Sequence, residues 1–337
     1  MTEFLDHDAT KISWSRGLKN MVFKGKEIEY KKESITTSVY RPFTKMHQYF
    51  SNNLLEYIFK IPSYFPNDGS ENKLICLTGR GASKDFSALI VNINPDYEII
   101  SKSQCFPLFV YEKRKKDQLS FFDNDESEFV RRDGISNFII DLCRKTYGIM
   151  VSNEDVFYYV YGFLHSPDYR EMFAADLKKM LPRIPLVDKM EDFWAFSKAG
   201  RKLADLHINY ETVAPAEGVK IVSISPLEGS HGDVFKVQKM RFPSKEDKSK
   251  ILFNSKITIE NIPAEAYQYV VNGKSAIEWI MERYQVTIHK ESQIKNDPND
   301  WAEEVNNPRY ILDLLLSIVN VSVQTVEIVK GLPKIKF

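Results

Sequence analysis

The sequence predicts an α+β protein with a strand-rich N-terminal lobe, a helical middle section, and a smaller C-terminal section of β-ribbon and helices. In the first 133 residues, short apolar segments alternate with Gly- and Pro-containing loops, which is typical of strands. From 135 to 207, apolar residues recur at helical spacing after recognisable N-terminal caps. Short strand-like segments return between 219 and 260, and helical spacing resumes near the C-terminus.

Length and charge set the broad limits. The chain has 337 residues, and single cores stop growing near about 250–300 residues, so we expect two lobes, at 1–133 and 134–337. The 46 Lys and Arg residues balance the 46 Asp and Glu residues, which gives a net charge of +0. A neutral molecule has no overall field that attracts nucleic acid. Any surface for such a partner must therefore be local.

The sequence gives no sign of a membrane or of an oxidising compartment. No apolar run approaches the roughly 20 residues that cross a bilayer, and residues 1–11 are too acidic and polar for a signal peptide. The three cysteines, Cys76, Cys105 and Cys143, have no C-x-x-C spacing and apolar neighbours, which is typical of buried free thiols. We expect a cytoplasmic protein without a structural zinc.

Aromatic and basic residues are interleaved from 12 to 50. Residues 39–43 predict a strand that enters a turn, because Pro42 has no backbone N–H for a central strand. Cations between aromatic rings suit a nucleic-acid surface, where they neutralise phosphates and stack. An ordinary amphipathic rim has the same composition. Arg41 and Lys45 are the candidate contacts in this region.

An apolar segment, 73–78, predicts a buried strand that leads into a glycine-rich loop. The loop is not a phosphate-binding P-loop, because only Arg80 separates Gly79 from Gly81, and Lys84 stands where a dinucleotide fingerprint has its third glycine. It still lets backbone come close to a partner, and Arg80, Ser83 and Lys84 are possible donors to a phosphate or base edge. The alternative is a sheet corner with solvated charges.

Blocks of like charge occupy 112–133. Such blocks repel one another and stay solvated, so we predict a mobile insertion or linker at the boundary between the lobes. Lys113 and Arg114 begin this segment. They can follow a DNA backbone, although most exposed charge runs serve only solvation.

Caps and apolar spacing predict the helices that follow. Ser152 to Asp155 form a capping box before a helix at 156–164, and Ser166 with Pro167 caps the next, at 168–180. Further helices are expected at 135–147 and 193–207. His165 and His207 each end an apolar helix outside any H-E-x-x-H pattern, which favours a structural role.

The last third predicts strands at 219–225, 234–242 and 251–259. Together they form a β-ribbon at 219–260, with Lys236, Lys239 and Arg241 on its solvent edge. A cationic ribbon can lie against DNA, and cations also protect an edge strand from aggregation. Apolar residues within 262–284 predict two short helices joined at Asn272-Gly273, with Ser275 as an N-cap.

A polar loop follows, and helices at 308–319 and 321–329 end the chain. A helix at 54–61 and strands at 88–93, 97–101 and 106–111 complete the predicted elements. The tetrapeptide Asn94-Pro95-Asp96-Tyr97 resembles the Asn/Asp-Pro-Pro-Tyr/Phe motif of amino-methyltransferases, but its third residue is Asp. No glycine-rich S-adenosylmethionine site precedes it. We therefore reject methyl transfer by this chain.

Several longer strings point to one family. Residues 262–301, residues 162–186 and the string Tyr40-Arg41-Pro42-Phe43 closely resemble the C-terminal specificity region of type ISP restriction-modification enzymes, and the resemblance extends from 14 to 332. These enzymes join nuclease, helicase-like, adenine methyltransferase and target-recognition parts in one chain. The family usually has Asp after the Phe, where this chain has Thr44.

The resemblance implies sequence-specific recognition of double-stranded DNA without catalysis in this chain. S-adenosylmethionine, ATP and Mg²⁺ are expected only in the parent enzyme, an adenine methyltransferase and endonuclease. The expected partners are DNA and the parent's methyltransferase and helicase-like domains, with no membrane. The expected contacts are Arg41, Lys45, Arg80, Ser83, Lys84, Lys113, Arg114, Lys236, Lys239 and Arg241.

Together these cations are expected to form one concave strip wide enough for a double helix. Two other readings stay open. The chain can be a protein-interaction module of a phage-defence system, or an unrecognised hydrolase with a deep pocket that holds a perturbed acid and base.

Overall fold

Small antiparallel sheets and a layer of helices make up the chain, of which the computed structural model describes residues 14–67, 69–114, 128–224 and 232–335. Mixed helix and strand content agrees with the predicted α+β class. The helices within those ranges are α1 Arg16–Phe23, α2 Ile61–Tyr64, α3 Asn137–Tyr147, α4 Asn153–Phe163, α5 Pro167–Met172, α6 Ala174–Leu177, α7 Met190–Ile208, α8 Ala276–Arg283, α9 Pro298–Glu304 and α10 Tyr310–Lys330.

The strands pair mostly with near neighbours in the sequence. In the described ranges they are β1 Ile35–Arg41, β2 Thr44–Tyr49, β3 Leu74–Leu77, β4 Ala88–Val91, β5 Gln104–Pro107, β6 Phe109–Lys113, β7 Phe129–Asp133, β8 Lys220–Ser223, β9 Ile251–Leu252, β10 Ile257–Glu260, β11 Val270–Val271, β12 Lys274–Ser275, β13 Thr287–Ile288 and β14 Lys295–Asn296. Two sheets have three strands, in the orders β4-β3-β5 and β8-β10-β9, and the other four are two-stranded hairpins.

The β4-β3-β5 sheet lies between two hydrophobic cores. Successive side chains of a strand point to opposite faces: Leu74 and Cys76 of β3 face one core, and Ile75 and Leu77 face the other. The predicted buried strand at 73–78 is thus confirmed, and both of its faces are covered.

Each core draws on residues from both sides of position 133. The first core packs β3, β4 and Phe43 against α8 and α10. The second packs the other face of the sheet against α4 and α7. The division into lobes at 1–133 and 134–337 stays a prediction, since the two parts share both cores.

The α4–α7 pair is packed closely because glycines face each other across it. A Cβ on Gly162 would lie 2.2 Å from the carbonyl oxygen of Phe196, and one on Gly200 would lie 1.9 Å from that of Tyr158. The capping box predicted for α4 is present: the Ser152 hydroxyl accepts from Asp155 N at 3.1 Å, and the Asp155 carboxylate accepts from Ser152 N at 3.0 Å.

Several predicted elements differ from the structure. Residues 54–60 are turns, and only Ile61–Tyr64 form a short helix. Residues 97–101, predicted as a strand, are a turn region, and the helix predicted at 168–180 is two short helices, α5 and α6. In the turn at 97–101, Ile99 and Ile100 are buried without a strand partner, because burial does not require a ladder of backbone hydrogen bonds, whereas Tyr57 and Phe59 in the turns at 54–60 are exposed.

The charged segment at 112–133 is not a simple linker. Its two ends form a β-hairpin, with Lys113 opposite Phe129 and Phe109 opposite Asp133. The centre of the segment, 115–127, lies outside the described residues, as do residues 1–11 at the N-terminus. The segment that was predicted as the boundary between the lobes therefore begins and ends in paired strands, β6 and β7.

The prediction of a basic β-ribbon at 219–260 is wrong for its middle strand, 234–242. Residues 235–242 are irregular, with one isolated bridge between Arg241 and Leu252. The sheet instead pairs β10 with β8 and with β9. Residue 225, the end of the first predicted strand, lies outside the described residues. Basic residues between apolar ones resembled an edge strand, but Phe235, Val237 and Met240 are buried core residues of an irregular segment.

The stretch 262–284 has one α-helix where two were expected. A 3-10 helix at Ala264–Tyr267 is followed by the β11–β12 hairpin, whose turn is Asn272-Gly273, and then by α8. The predicted N-cap is confirmed, since the Ser275 hydroxyl accepts from Glu278 N at 3.2 Å.

The chain ends in one continuous helix, α10, where two had been predicted. By length and composition alone it could cross a membrane, with mean hydropathy 1.6, but 67% of its most apolar stretch is buried inside the protein. It packs against the 3-10 helix at Ala264–Tyr267, α7 and α8, which is the behaviour of a core helix.

Candidate functional site

The β1–β2 hairpin presents the first candidate residues. Its turn is anchored by Phe43, which is buried in the left-handed region at φ 58°. The ring of Phe43 packs edge-on against Tyr210 and Tyr269, with centroid separations of 5.3 and 6.0 Å. A bulky side chain rarely adopts this backbone conformation, so burial of the ring fixes the turn. The hairpin therefore projects Arg41 and Lys45 from a rigid base.

Arg41 is held by the neighbouring loop. Its Nη1 donates to the Asp96 carboxylate at 2.7 Å, and its guanidinium lies 4.0 Å from the centre of the Tyr40 ring. Val39 N donates to Asn94 O, and Asp96 N donates to Val39 O, both at 2.9 Å. The Asn94-Pro95-Asp96-Tyr97 string therefore braces β1.

Lys45 also has an internal partner. Its ammonium pairs with Glu211, and the other carboxylate oxygen of Glu211 accepts from the Tyr310 hydroxyl at 2.7 Å. Lys45 and Glu211 are each about three-quarters buried, with side-chain exposure of 24%. Thr44 is buried with its hydroxyl 3.3 Å from the Pro42 carbonyl oxygen.

An open cleft of about 650 Å³ begins at β2. Its other walls come from the end of α8 and from residues 295–304, which include β14 and α9. Its polar lining residues include Lys45, His47, Gln48, Asp96, Glu282, Arg283, Lys295, Asn296, Asp297, Asp300 and Glu304. The lining mixes carboxylates, amides and a few cations, so it suits a partner that presents hydrogen-bond donors as well as acceptors.

The far wall of this cleft is formed by residues that the sequence did not mark as functional. His47 Nε2 lies 2.8 Å from the Glu304 carboxylate, and its ring centre is 4.9 Å from that of Trp301. The loop before α9 is held by Asp297, which accepts from Asn299 N at 3.0 Å. The sequence signal was the helix-start pattern Asp297-Pro298, which had been interpreted only as a loop.

Burial raises the pKa of Asp297, but hydrogen bonds from Lys295 and Asn299 outweigh burial and leave the pKa below its ordinary value. Lys295 Nζ lies 2.8 Å from this carboxylate. Asp297 is therefore ionised at neutral pH and contributes negative charge to the cleft.

The loop after β3 carries Arg80, Ser83 and Lys84, all exposed. Among the described residues none of the three has a hydrogen bond or ion pair through its side chain, so they are open to a partner. Gly81 is in the left-handed region at φ 68°, and its N–H faces Lys178 O at 3.3 Å. The loop is thus exposed and also fixed in shape.

Lys113 and Arg114 lie at the end of β6. Lys113 Nζ is 2.7 Å from a carboxylate oxygen of Glu128, and Arg114 N donates to Glu128 O at 3.0 Å. Both residues therefore sit on a β-hairpin close to a carboxylate.

Lys236 forms ion pairs with Asp233 at 3.2 Å and with Glu303 at 3.4 Å, which place it beside α9 near the cleft. Lys239 and Arg241 are exposed on the irregular segment. That segment packs next to the cleft, since Val286 N donates to Gln238 O at 2.8 Å.

The candidate cations therefore occupy separate places: the β1–β2 hairpin and its cleft, the loop after β3, and the β6–β7 hairpin. The expected single basic strip is not present in the cleft, where Asp96, Asp297, Asp300 and Glu304 are interleaved with the cations. The physical reason is that folding brings carboxylates from distant parts of the sequence next to these cations, and the sequence alone does not show that pairing.

A buried polar network lies behind the hairpin. The Tyr161 hydroxyl is 2.6 Å from His207 Nδ1, and His207 Nε2 is 3.0 Å from the Thr325 hydroxyl. His165 Nδ1 donates to Tyr161 O at 2.8 Å. Burial lowers the pKa of both histidines, to about 3 for His207, and the buried Arg170 guanidinium lowers both further. Both rings are neutral and structural at pH 7.

Across the ranges that the structure describes, no three His, Cys, Asp or Glu side chains are grouped so that they could hold a metal ion. Cys76 and Cys105 face each other across β3 and β5 with sulfurs 3.2 Å apart, and both are free thiols. The arrangement offers acceptors, amides and exposed cations for binding.

These features define a class: an α+β binding module in which hairpins and loops around a cleft are carried on a helical support. Within that class, the family model described as the type ISP C-terminal specificity domain matches residues 1–314. The chain belongs to this family.

Solved structures agree. The chain is similar to a nuclease-deletion mutant of the type ISP restriction-modification enzyme LlaGI in complex with a DNA substrate mimic, at 38% identity and a TM-score of 0.82 over 98% of this chain and 28% of that one. It is also similar to the ATP-dependent type ISP enzyme LlaBIII bound to DNA, at 36% identity and a TM-score of 0.85 over 98% of this chain and 20% of that one.

A third similar structure is a DrdV–DNA complex, at 30% identity and a TM-score of 0.83, covering all of this chain and 32% of that one. No curated protein matches the chain. The chain therefore spans between about a fifth and a third of the length of these three relatives.

Proposed function

We propose that this chain recognises a specific sequence in double-stranded DNA, as the target-recognition domain of an ATP-dependent restriction-modification enzyme. The observation that carries the proposal is the match of nearly the whole chain to domains of type ISP enzymes whose structures contain DNA. Because the match covers nearly the whole chain, it supports the proposal that this chain holds its loops against a duplex as those enzymes do.

The proposed contacts fall into two kinds. Gln48 and Asn296 in the cleft have amides that can pair with adenine, and the cleft carboxylates can accept from cytosine amino groups. Arg80, Ser83, Lys84, Lys239 and Arg241 are exposed and suit phosphate or guanine. Arg41, Lys45, Lys113, Arg114 and Lys236 remain candidates, and those with carboxylate partners must exchange them for DNA.

The proposal assigns no catalysis to this chain. Adenine methylation, translocation and cleavage, with S-adenosylmethionine, ATP and Mg²⁺, belong to other parts of the parent polypeptide, which would act in the cytoplasm. Substrate selection is the contribution of this domain.

The parent's methyltransferase and helicase-like domains are the proposed protein partners. An exposed aromatic stack supports contact with protein: the rings of Tyr57, Phe59 and Tyr97 are stacked with centroid separations of 5.6 and 5.3 Å. All three side chains are more than half exposed. The same surface is the observation that favours the second candidate, a protein-interaction module of a defence system.

Selection from random duplexes tests the first candidate. The chain is mixed with random duplexes at two salt concentrations, and the bound pool is sequenced. We expect a defined motif, with each wrong base pair costing about 1–3 kcal/mol. Tight binding at low salt without an enriched motif would reduce the function to general polyanion binding. Capture of a protein partner without any salt-sensitive DNA affinity would favour the second candidate.

A further inference from the structure

Three segments that are far apart in the sequence meet at one corner of the molecule: the loop after β3, the turn before β5 and the turn of the β11–β12 hairpin. Gly79 N donates to Ser101 O at 3.1 Å, and Ser101 N donates to the Asn272 side chain at 3.2 Å. Asn272 N donates to the Ser87 hydroxyl at 2.8 Å. These bonds tie the three segments into one unit.

The backbone of this corner is fixed by close approach. A Cβ on Gly79 would lie 1.8 Å from the carbonyl oxygen of Lys102, so only glycine fits there. Lys102 Nζ donates to Gly81 O at 2.9 Å, which closes the loop from the other side. The position of the cations around the loop is therefore set by the fold before any partner arrives.

Four cations lie on these tied segments: Arg80 and Lys84 on the loop after β3, Lys102 in the turn before β5 and Lys274 beside the hairpin turn. We call them the corner cluster. The Lys84 side chain lies against the hairpin turn, with its Cδ 3.3 Å from where a Cβ on Gly273 would be. Burial lowers the pKa of Lys274, and the neighbouring positive charges of Arg283 and Lys84 lower it further. The shift agrees with the geometry that brings Lys84 close to Lys274.

The charges of the cluster are only partly balanced. Lys274 pairs with Glu282, and the nearby Asp85 pairs with Lys178 at 2.9 Å. Arg80, Lys84 and Lys102 have no ion pair with any residue in the described ranges. Like charges held together repel one another, so an anionic partner would stabilise this arrangement.

The chemistry favours a phosphodiester backbone. Lysine is a compact point charge on a flexible stem that binds phosphate without the planar matching that guanine reading requires. Arg80, Lys84 and Lys102 are exposed, and the cleft described above is lined by other residues. The cluster thus lies on an open surface, which suits an extended polyanion better than an enclosed nucleotide.

We propose that the corner cluster binds the sugar–phosphate backbone of duplex DNA and fixes the position of the duplex without reading its sequence. This inference rests on the proposed function, and it adds Lys102 and Lys274 to the residues that contact DNA. In this proposal, phosphate affinity comes from the corner cluster, and base selection comes from other residues of the domain.

The test measures the dependence of duplex affinity on salt with the whole 337-residue chain and the selected duplex. The variant combines Arg80→Ala, Lys84→Ala and Lys102→Gln, and the glutamine keeps an N–H donor for the Gly81 carbonyl. Each lost phosphate contact lowers the steepness of log Kobs against log salt by about 0.9, so we expect a fall of about 2–3. The motif selected by the variant should be unchanged.

A matched control removes the same charge from exposed helix positions with Lys145→Ala, Lys198→Ala and Lys202→Ala, and it should keep the wild-type slope. The single change Lys84→Glu, at an exposed side chain, repeats the test with less risk to folding. Circular dichroism melting curves verify that each variant is folded.

An unchanged slope in the folded corner variant, or an equal fall in the control, would overturn the inference while leaving the proposed function in place. If the variant lost ATP binding and kept its duplex slope, the cluster would instead be a nucleotide site. A wild-type chain without salt-sensitive duplex affinity would overturn the proposed function, and this inference with it.

Discussion

At the scale of single residues, partners decide what a side chain can do. Arg41 and Lys45 had been chosen because they were basic and beside aromatics, and both have carboxylate partners, Asp96 and Glu211. Arg80 and Lys84 had been chosen as donors in a glycine-rich loop after a buried strand, and neither has a carboxylate partner within the described residues. Their exposure leaves them open to phosphate. Sequence identifies the charged groups, and the fold decides which of them are already neutralised.

The buried histidines give a prediction about pH. Folding lowers the pKa of His165 and His207, so the unfolded chain binds more protons as the pH falls below the ordinary histidine value of about 6.5. Their contribution to stability is complete above that pH and is lost progressively as the pH falls, down to about pH 3 for His207. Between pH 6.5 and 5.5 we expect each histidine to remove about 1 kcal/mol from the free energy of unfolding.

Urea unfolding at several pH values measures this slope. His207→Gln should be less stable at pH 7 but should show a shallower loss of stability between pH 6.5 and 5.5. Ser322→Ala, which removes a buried hydrogen bond of 2.7 Å to Ile318 O, is a control with no titrating group. Equal slopes in the two variants would contradict the assignment to His207.

At the scale of secondary-structure elements, the sequence correctly predicted helix starts that are fixed by a capping side chain at the helix end itself. The caps at Ser152 and Ser275 are examples, because a capping hydroxyl reaches only about three residues along the chain. Residues 235–242 show the limit. A strand was predicted there, but a strand also needs a partner on at least one side, and local sequence does not encode the partner.

The α4–α7 pair gives a prediction at this scale. Gly200→Ala would place a methyl group 1.9 Å from the Tyr158 carbonyl oxygen, so the helices must move apart. We expect a loss of about 1–3 kcal/mol in the free energy of unfolding, measured by chemical denaturation. Gly17→Ala in α1, where the nearest atom would be 3.7 Å away, should be neutral or stabilising, since alanine favours helix. A similar loss in both variants would argue against close helix packing as the cause.

At the scale of the whole molecule, the two cores connect the N-terminal and C-terminal thirds. Val39 and Leu74 share a core with Ile277 and Leu315, and Ile90 shares the other with Phe193. A chain cut at position 133 would expose apolar faces on both fragments.

We therefore expect residues 134–337 alone to lack a cooperative unfolding transition, as measured by near-ultraviolet circular dichroism and urea titration. The 337-residue chain should unfold in a single transition. If the fragment melted cooperatively by itself, the predicted lobe at 134–337 would be an independent folding unit.

The sequence by itself determined the α+β class, the buried β3 strand, the helix caps and, through strings such as 262–301, the family. The class, the strand and the caps depend on residues that are close together in the sequence. The family is identified by strings of residues that are similar in related chains. Only the tertiary structure decided that Lys45 meets Glu211, that His47 meets Glu304, and that Lys84 lies against Gly273. Coulomb energy depends on distance in space, and residues more than a hundred positions apart become neighbours only when the cores between them have formed.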